Sequence, residues 1–269
     1  MMRDLVTTED LAGELGAPDL VILDASMAPP GDSTDMRAKY EACHIPGARF
    51  FDIAALKMAP DFAAAMEHLG VGSGDRIIVY DNTPLHSATR AWWQLRHHGA
   101  QHVAVLDGGL GKWLAEGRPA ESGPARAREA SFAAHPSKGR HVSKADILAG
   151  LDTPLVDARD AKRFSGESSD PRPGIADGHI PGACNLPFAQ LYREDGTVRP
   201  VEELRAAFAA AGIDPLQPFA ASCGSGVTAT SLLFAARLLG NDSATLYEGS
   251  WTEWGADPET PKELGPPRE

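Results

Sequence analysis

Four short segments of this chain occur twice, in the same order and at nearly constant spacing. VILDAS at 21–26 is matched by PLVDAR at 154–159, and CHIPGARFFDI at 43–53 by GHIPGACNLPF at 178–188. RIIVYDN at 76–82 is matched by QPFAASCG at 217–224, and LDGGLGKW at 106–113 by YEGSWTEW at 247–254. His44 and His179 stand 135 positions apart, and Trp113 and Trp254 stand 141 apart. Such a duplication admits few architectures: it asks for two copies of one domain, each with its own core. A chain of 269 residues, 43% of them hydrophobic, has material for both. We expect a first domain over 1–118, a linker over 119–140 and a second domain over 141–269. The linker is placed there because the stretch is rich in Pro, Gly, Ala and charge and has little apolar periodicity.

Within each copy, strand-like and helix-like segments alternate. VILDAS and PLVDAR are short apolar runs ending in Asp-Ala, as buried strands do on reaching a loop. TTEDLAGEL at 7–15 has a hydroxyl at an N-cap position with Asp10 three residues on, and SKADILAG at 143–150 opens the second copy. DFAAAMEHLG at 61–70 and VEELRAAFAAAG at 201–212 end in glycine, a stop signal. SATRAWWQLRHHG at 87–99 and TATSLLFAARLLG at 228–240 read as equivalent helices of the two copies. The fold class expected is α/β, with a mainly parallel sheet flanked by helices in each copy.

Composition excludes several function classes. A net charge of −12 repels nucleic acid and anionic membranes, so neither is expected as a partner. No apolar stretch approaches the roughly 18–20 residues of a membrane span, and MMRDLVTTED lacks the apolar core of a secretory signal. The expectation is a soluble, cytoplasmic protein. The cysteines are Cys43, Cys184 and Cys223, an odd number without CxxC spacing, which argues for reduced thiols rather than disulfides or structural zinc. HExxH, P-loop and GxGxxG patterns are absent, and no metal or cofactor is expected.

The copies differ where chemistry is easiest to place. Aligned on the strand before the loop, Asp81 of the first copy faces Cys223 of the second. A carboxylate cannot be a sulfur nucleophile, so the second copy is the competent one. Around Cys223 the sequence is CGSGVTA. Gly224 and Gly226 permit backbone angles that bulkier residues resist, and the small side chains let successive N–H groups turn inward around an anion. The helix expected from Val227–Thr228 onward adds the positive end of its dipole. Such a cradle favours the thiolate.

HIPGA twice, LDGGLGKW and above all CGSGVT at 223–228 resemble the tandem-domain sulfurtransferases of the rhodanese superfamily, over roughly residues 5–255. The CGSGVT form is similar to that of the 3-mercaptopyruvate-using members, whereas thiosulfate-using members carry Arg and Lys in the second and third loop positions. The resemblance implies a non-catalytic first copy and a persulfide on Cys223. It further implies Ser225 as a catalytic group, Gly224, Gly226, Val227 and Thr228 as the substrate-binding loop, and Arg163 and Arg172 as the grip on the substrate carboxylate and carbonyl. Guanidinium suits that task because it donates two parallel hydrogen bonds. Electrostatics points the same way: thiosulfate is a dianion that gains from cations beside the nucleophile, and Gly224 and Ser225 supply none. The small-molecule donor expected is therefore 3-mercaptopyruvate, and the acceptor a thiol, a thioredoxin-like protein or cyanide. Thiosulfate:cyanide transfer and a non-catalytic persulfide carrier are the alternatives. A cysteine phosphatase of the C-x5-R type is disfavoured because position 229 is Ala.

The chain departs from this family after FFDI. Ala54 stands where an aspartate is usual, and Lys57 about where a histidine of a proposed Ser-His-Asp relay would be, which leaves Ser225 of that relay. His86, in TPLHSATR, stands where relatives place a tyrosine that reaches the reactive cysteine. A histidine there offers either a group titrating near neutral pH or an ordinary loop residue. His44 and His179 occur in both copies and read as fold elements, Asp24, Asp157, Arg90 and Arg159 as ion pairs or caps, Cys43 and Cys184 as packing residues, and Trp92, Trp93, Trp113 and Trp254 as core.

Overall fold

The computed structural model describes residues 3–57, 61–137 and 141–267, without the side chain of Lys57. The chain divides into two units, Met1–Ser137 with Glu194–Thr197, and Lys138–Arg193 with Val198–Glu269. The first is built on strands β1 (Leu5–Val6), β2 (Leu20–Asp24), β3 (Arg49–Phe50), β4 (Arg76–Tyr80) and β5 (His102–Leu106). The second is built on β6 (His141–Val142), β7 (Leu155–Asp157), β8 (Cys184–Asn185), β9 (Ala220–Ser222) and β10 (Thr245–Tyr247). The sheet orders, β1-β5-β4-β2-β3 and β6-β10-β9-β7-β8, are the same order counted from each unit's own start. Every pairing between these ten strands is parallel. Apart from its first residue β4 is buried throughout, as strands are when helices cover both faces of a parallel sheet. Within each sheet the chain leaves β4 and β2, or β9 and β7, toward opposite edges. The crevice at their carboxyl ends is the switch point where ligands of such sheets bind.

The helical signals are realised. Thr7 and Ser143 each close a capping box, with Asp10 and Asp146, at the helices Thr8–Glu14 and Lys144–Ala149. The helices Ala88–His97 and Ala229–Leu238 follow β4 and β9, and Gly99 and Gly240 carry the chain away in the left-handed region at φ 101° and 102°. Trp113 lies in one core with Ile22, Tyr80 and Leu106; Trp254 lies in the other with Leu155, Phe164 and Tyr247.

The stretch expected as a linker is laid along the first unit as far as Ser137. His44 and Glu121 bond backbone to backbone in both directions, Gly47 donates to the Glu121 carboxylate, and Trp113 Nε1 donates to Pro119 O at 2.7 Å. Phe132 is buried against Phe62. The second unit repeats the device: His179 pairs with Glu263, Gly182 donates to the Glu263 carboxylate, and Trp254 Nε1 donates to Pro261 O at 2.7 Å. Pro-x-Glu at 119–121 and at 261–263 is thus a fifth repeated segment.

Candidate active site

Cys223 follows β9 directly, at the switch-point end of the second sheet, and is buried. Its Sγ accepts the Gly226 N–H at 3.2 Å. That bond requires the chain to double back, which Gly226 does at φ 75°. A Cβ on Gly226 would come within 2.6 Å of Glu248 O, so the position admits glycine for space as well as for angle. Val227 is buried, Ser225 and Thr228 are half-buried, and Thr228 precedes the helix Ala229–Leu238 without a side-chain capping bond; the helix N-terminus closes the loop.

A second segment pins the loop from behind. Cys223 N donates to Ser250 Oγ at 3.1 Å, Trp251 N to Cys223 O at 3.0 Å and Thr252 N to Gly224 O at 2.8 Å. Ser250 has φ 52°, rare for a residue with a Cβ. Its counterpart Gly109 has φ 55° and approaches Asp81, the counterpart of Cys223, so closely that a Cβ would lie 2.2 Å from Asp81 O.

Arg163 and Arg172 converge on this loop. Arg163 lies in the helix Ala161–Ser165, which Asp160 caps. Arg172 sits in Asp-Pro-Arg-Pro, where two prolines fix the flanking φ angles and its own N–H donates to Asp170 Oδ1 at 3.0 Å, an Asx turn. A Cβ built on Gly224 would lie 2.6 Å from Arg172 Nη2 and 3.4 Å from Arg163 Nη2. Gly224 is therefore small because a guanidinium lies over it. An arginine in the second loop position, the thiosulfate-type pattern, could not coexist with Arg172 as placed here. Arg163 Nε is buried and has no hydrogen-bond partner, which costs the fold an unsatisfied donor.

Sequence reading missed three residues here. Asp170 accepts Arg163 Nη2 at 2.5 Å and takes Arg172 in a fork, Nε to Oδ1 at 2.8 Å and Nη2 to Oδ2 at 3.1 Å. Burial alone would raise its pKa, but hydrogen bonds from Arg172 and Arg163 and their charges outweigh that and hold it below the ordinary value. Thr252 accepts Arg172 Nη1 at 2.5 Å and its hydroxyl donates to Gly224 O, linking arginine to loop. Ser250 is the third. A carboxylate two residues before an arginine in a proline-flanked turn was a legible signal for Asp170; Thr252 and Ser250 become legible once YEGSWTEW is set beside the cysteine loop.

Other expectations find their places. His44 and His179 are buried, each with Nδ1 on a backbone carbonyl, Tyr40 O and Phe164 O, and each stacked on that same residue's ring. Arg159 is buried on Asp157 at 2.6 Å and lies over Trp251. Trp92, Trp93, Trp113 and Trp254 are core. All three cysteines are free thiols. Ala54 is exposed on the helix Ile53–Lys57, whereas the Lys57 side chain and residues 58–60 lie outside the described residues. His86 belongs to the first unit. Burial lowers its pKa to about 4, so the expectation of a group titrating near neutral pH is corrected: the ring is uncharged there. Among the described residues no cluster of His, Cys, Asp or Glu could hold a metal ion, and no helix is long and apolar enough to cross a membrane.

A model of the rhodanese-like domain matches this chain twice, over residues 7–116 and 143–257. The 3-mercaptopyruvate sulfurtransferase of Escherichia coli (strain K12) is 41% identical over 94% of this chain and 95% of its own length. The thiosulfate sulfurtransferase of Bos taurus is 38% identical over 97% of this chain and 95% of its own. Among solved structures, that of SseA from Escherichia coli, described as showing the rhodanese fold of 3-mercaptopyruvate sulfotransferases, superposes with a TM-score of 0.83. It is 37% identical and covers 93% of this chain and 99% of its own.

Proposed function

This chain belongs to the rhodanese-like domain family and carries the domain twice, and from that premise we propose that it is a sulfurtransferase drawing sulfane sulfur from 3-mercaptopyruvate through a persulfide on Cys223. The observation that carries the donor assignment is the pair of guanidinium groups over Gly224, one residue from the thiol. The donor carboxylate and carbonyl rest on Arg163 and Arg172, which sets the donor sulfur toward Cys223. The Cys223 thiolate attacks that sulfur; the C–S bond breaks and its electron pair leaves as pyruvate enolate, which takes a proton to become pyruvate. Gly226 N–H, Ser225 and the arginines stabilise the charge as it moves. A thiol acceptor, free or on a thioredoxin-like protein, then attacks the outer sulfur of the persulfide, and the Cys223 thiolate is returned. Cyanide serves as the same acceptor in an assay.

We place this chemistry in the cytoplasm, where the free cysteines would stay reduced. Thiosulfate is the competing donor, on the strength of the 38% identical thiosulfate sulfurtransferase. The test compares kcat/KM for pyruvate release from 3-mercaptopyruvate with that for thiocyanate formation from thiosulfate and cyanide. A preference for 3-mercaptopyruvate and one added sulfur on Cys223 by mass spectrometry are expected, and Cys223→Ser removes both. A preference for thiosulfate overturns the donor; persulfide on Cys43 or Cys184 instead overturns the nucleophile.

A further inference from the structure

Arg163 and Arg172 are held together by a carboxylate that the reaction above does not use. The Asp170 side chain is 1% exposed, while those of Arg163 and Arg172 are 22% and 25% exposed. Both ion pairs run to it, one at 2.5 Å and one at 2.8 Å. Two guanidiniums and one carboxylate sum to +1, where the guanidiniums alone would give +2.

We propose that Asp170 is a positioning and specificity-determining residue: it orients both arginine forks over Gly224 and halves their charge, matching the cradle to a donor carrying one negative charge and weakening its hold on a dianion. The inference rests on the donor reading above and deepens it. Positioning follows from the hydrogen bonds. Asp170 takes Nε and one Nη2 hydrogen of Arg172, and Thr252 takes an Nη1 hydrogen, so the guanidinium plane is fixed at three of its five donors. What remains on Arg172 is one hydrogen on each Nη, a pair that suits a single carboxylate-sized acceptor. Selectivity follows from charge. At a half-buried site an added unit of charge acts through a dielectric well below that of water, and it acts twice as strongly on a dianion as on a monoanion. The sequence holds its two cations at a distance set by Gly224 and then cancels one of them with Asp170. Thiosulfate-type loops place cations in the loop itself.

The test reads the charge at Cys223 without any sulfur donor. Alkylation by iodoacetate, an anion, is compared with alkylation by neutral iodoacetamide, and the ratio of rates is followed at low salt. Asp170→Asn is expected to raise the ratio about threefold or more, and to raise thiosulfate kcat/KM relative to that for 3-mercaptopyruvate. Asp170→Glu keeps the charge and is expected to keep the ratio while raising KM for 3-mercaptopyruvate. Should Asp170→Asn alone not fold, the double variant Asp170→Asn/Arg163→Gln is compared with Arg163→Gln, and the same rise is expected between them. A ratio unmoved in whichever comparison folds overturns the charge-setting role, even with 3-mercaptopyruvate turnover intact. A ratio that rises in a protein without 3-mercaptopyruvate turnover supports the cradle and instead overturns the donor reading.

Discussion

Ser250 holds Cys223 by its backbone: the Cys223 N–H donates to Ser250 Oγ at 3.1 Å, from a serine at φ 52°. The equivalent position of the first copy is Gly109, at φ 55°, where no side chain fits. A Cβ in this region costs roughly 1–2 kcal/mol, and the hydroxyl offsets that by satisfying a buried donor, worth about 1 kcal/mol.

Two variants separate these contributions. Ser250→Ala keeps the strain and loses the acceptor; Ser250→Gly loses both. The glycine variant is therefore expected to be more stable than the alanine variant by about 1–2 kcal/mol. Both should alkylate at Cys223 with altered rates, because the loop has lost its anchor. Denaturant unfolding of the pair checks the order. Equal stabilities, or alanine above glycine, would show that the left-handed backbone stores no strain.

Gly224→Ala tests the arginine overlay. Its Cβ would meet Arg172 Nη2 at 2.6 Å, and that tip is tied to Asp170 and Thr252, so it cannot swing away without breaking a bond. We expect KM for the carboxylate donor to rise about tenfold with little change in iodoacetamide reactivity of Cys223. The paired change Gly224→Arg/Ser225→Lys, which loop charge by itself would favour for thiosulfate, should need Arg172 shortened as well. Unchanged KM in Gly224→Ala would mean that Arg172 does not hold the donor.

The sheets, the capped helices and the cysteine loop were all legible in the sequence because each has a local signal: apolar runs, Ser/Thr-x-x-Asp boxes and a cysteine among glycines. Arg163 and Arg172 lie over Gly224, the neighbour of Cys223. What escaped reading was long-range or unobtrusive. Pro119–Glu121 and Pro261–Glu263 are too short to register as a repeat until His44 and His179 are seen bonded to them. Asp170 is a turn residue by its bond to the Arg172 N–H, and its second role depends on a helix arginine seven positions away. His86 titrates unlike a loop histidine because of burial, which no spacing reveals.

In the first copy burial moves Asp81 and the half-buried His86 in opposite directions, and it also raises the neighbouring buried Asp24. Burial raises the Asp81 pKa to about 7, and that outweighs the N–H of Ala88 bonded to it at 2.6 Å. Burial lowers His86 to about 4. An unfolded aspartate titrates near pH 4 and an unfolded histidine near pH 6.5, as rough reference values. Between about pH 4 and 7 the fold keeps a proton on Asp81 that the unfolded chain has lost, so this group's stability falls as pH rises, by up to about 4 kcal/mol. Between about pH 6.5 and 4 the unfolded chain protonates its histidine while the fold does not, so the His86 contribution falls as pH drops, by up to about 3 kcal/mol. These two slopes oppose each other, and Asp24, also raised by burial, adds to the carboxylate side. Relative to wild type, Asp81→Asn should therefore lose stability toward acid, and His86→Gln gain it. Native-state hydrogen exchange of the β4 amides, corrected for intrinsic pH dependence, reads the opening free energy of this unit. His86→Gln should also leave the pH dependence of Cys223 alkylation unchanged above about pH 5, since an uncharged ring has no proton to give up there. Parallel pH profiles for wild type and both variants would refute the opposed pair, and a shifted alkylation profile would restore a charged His86.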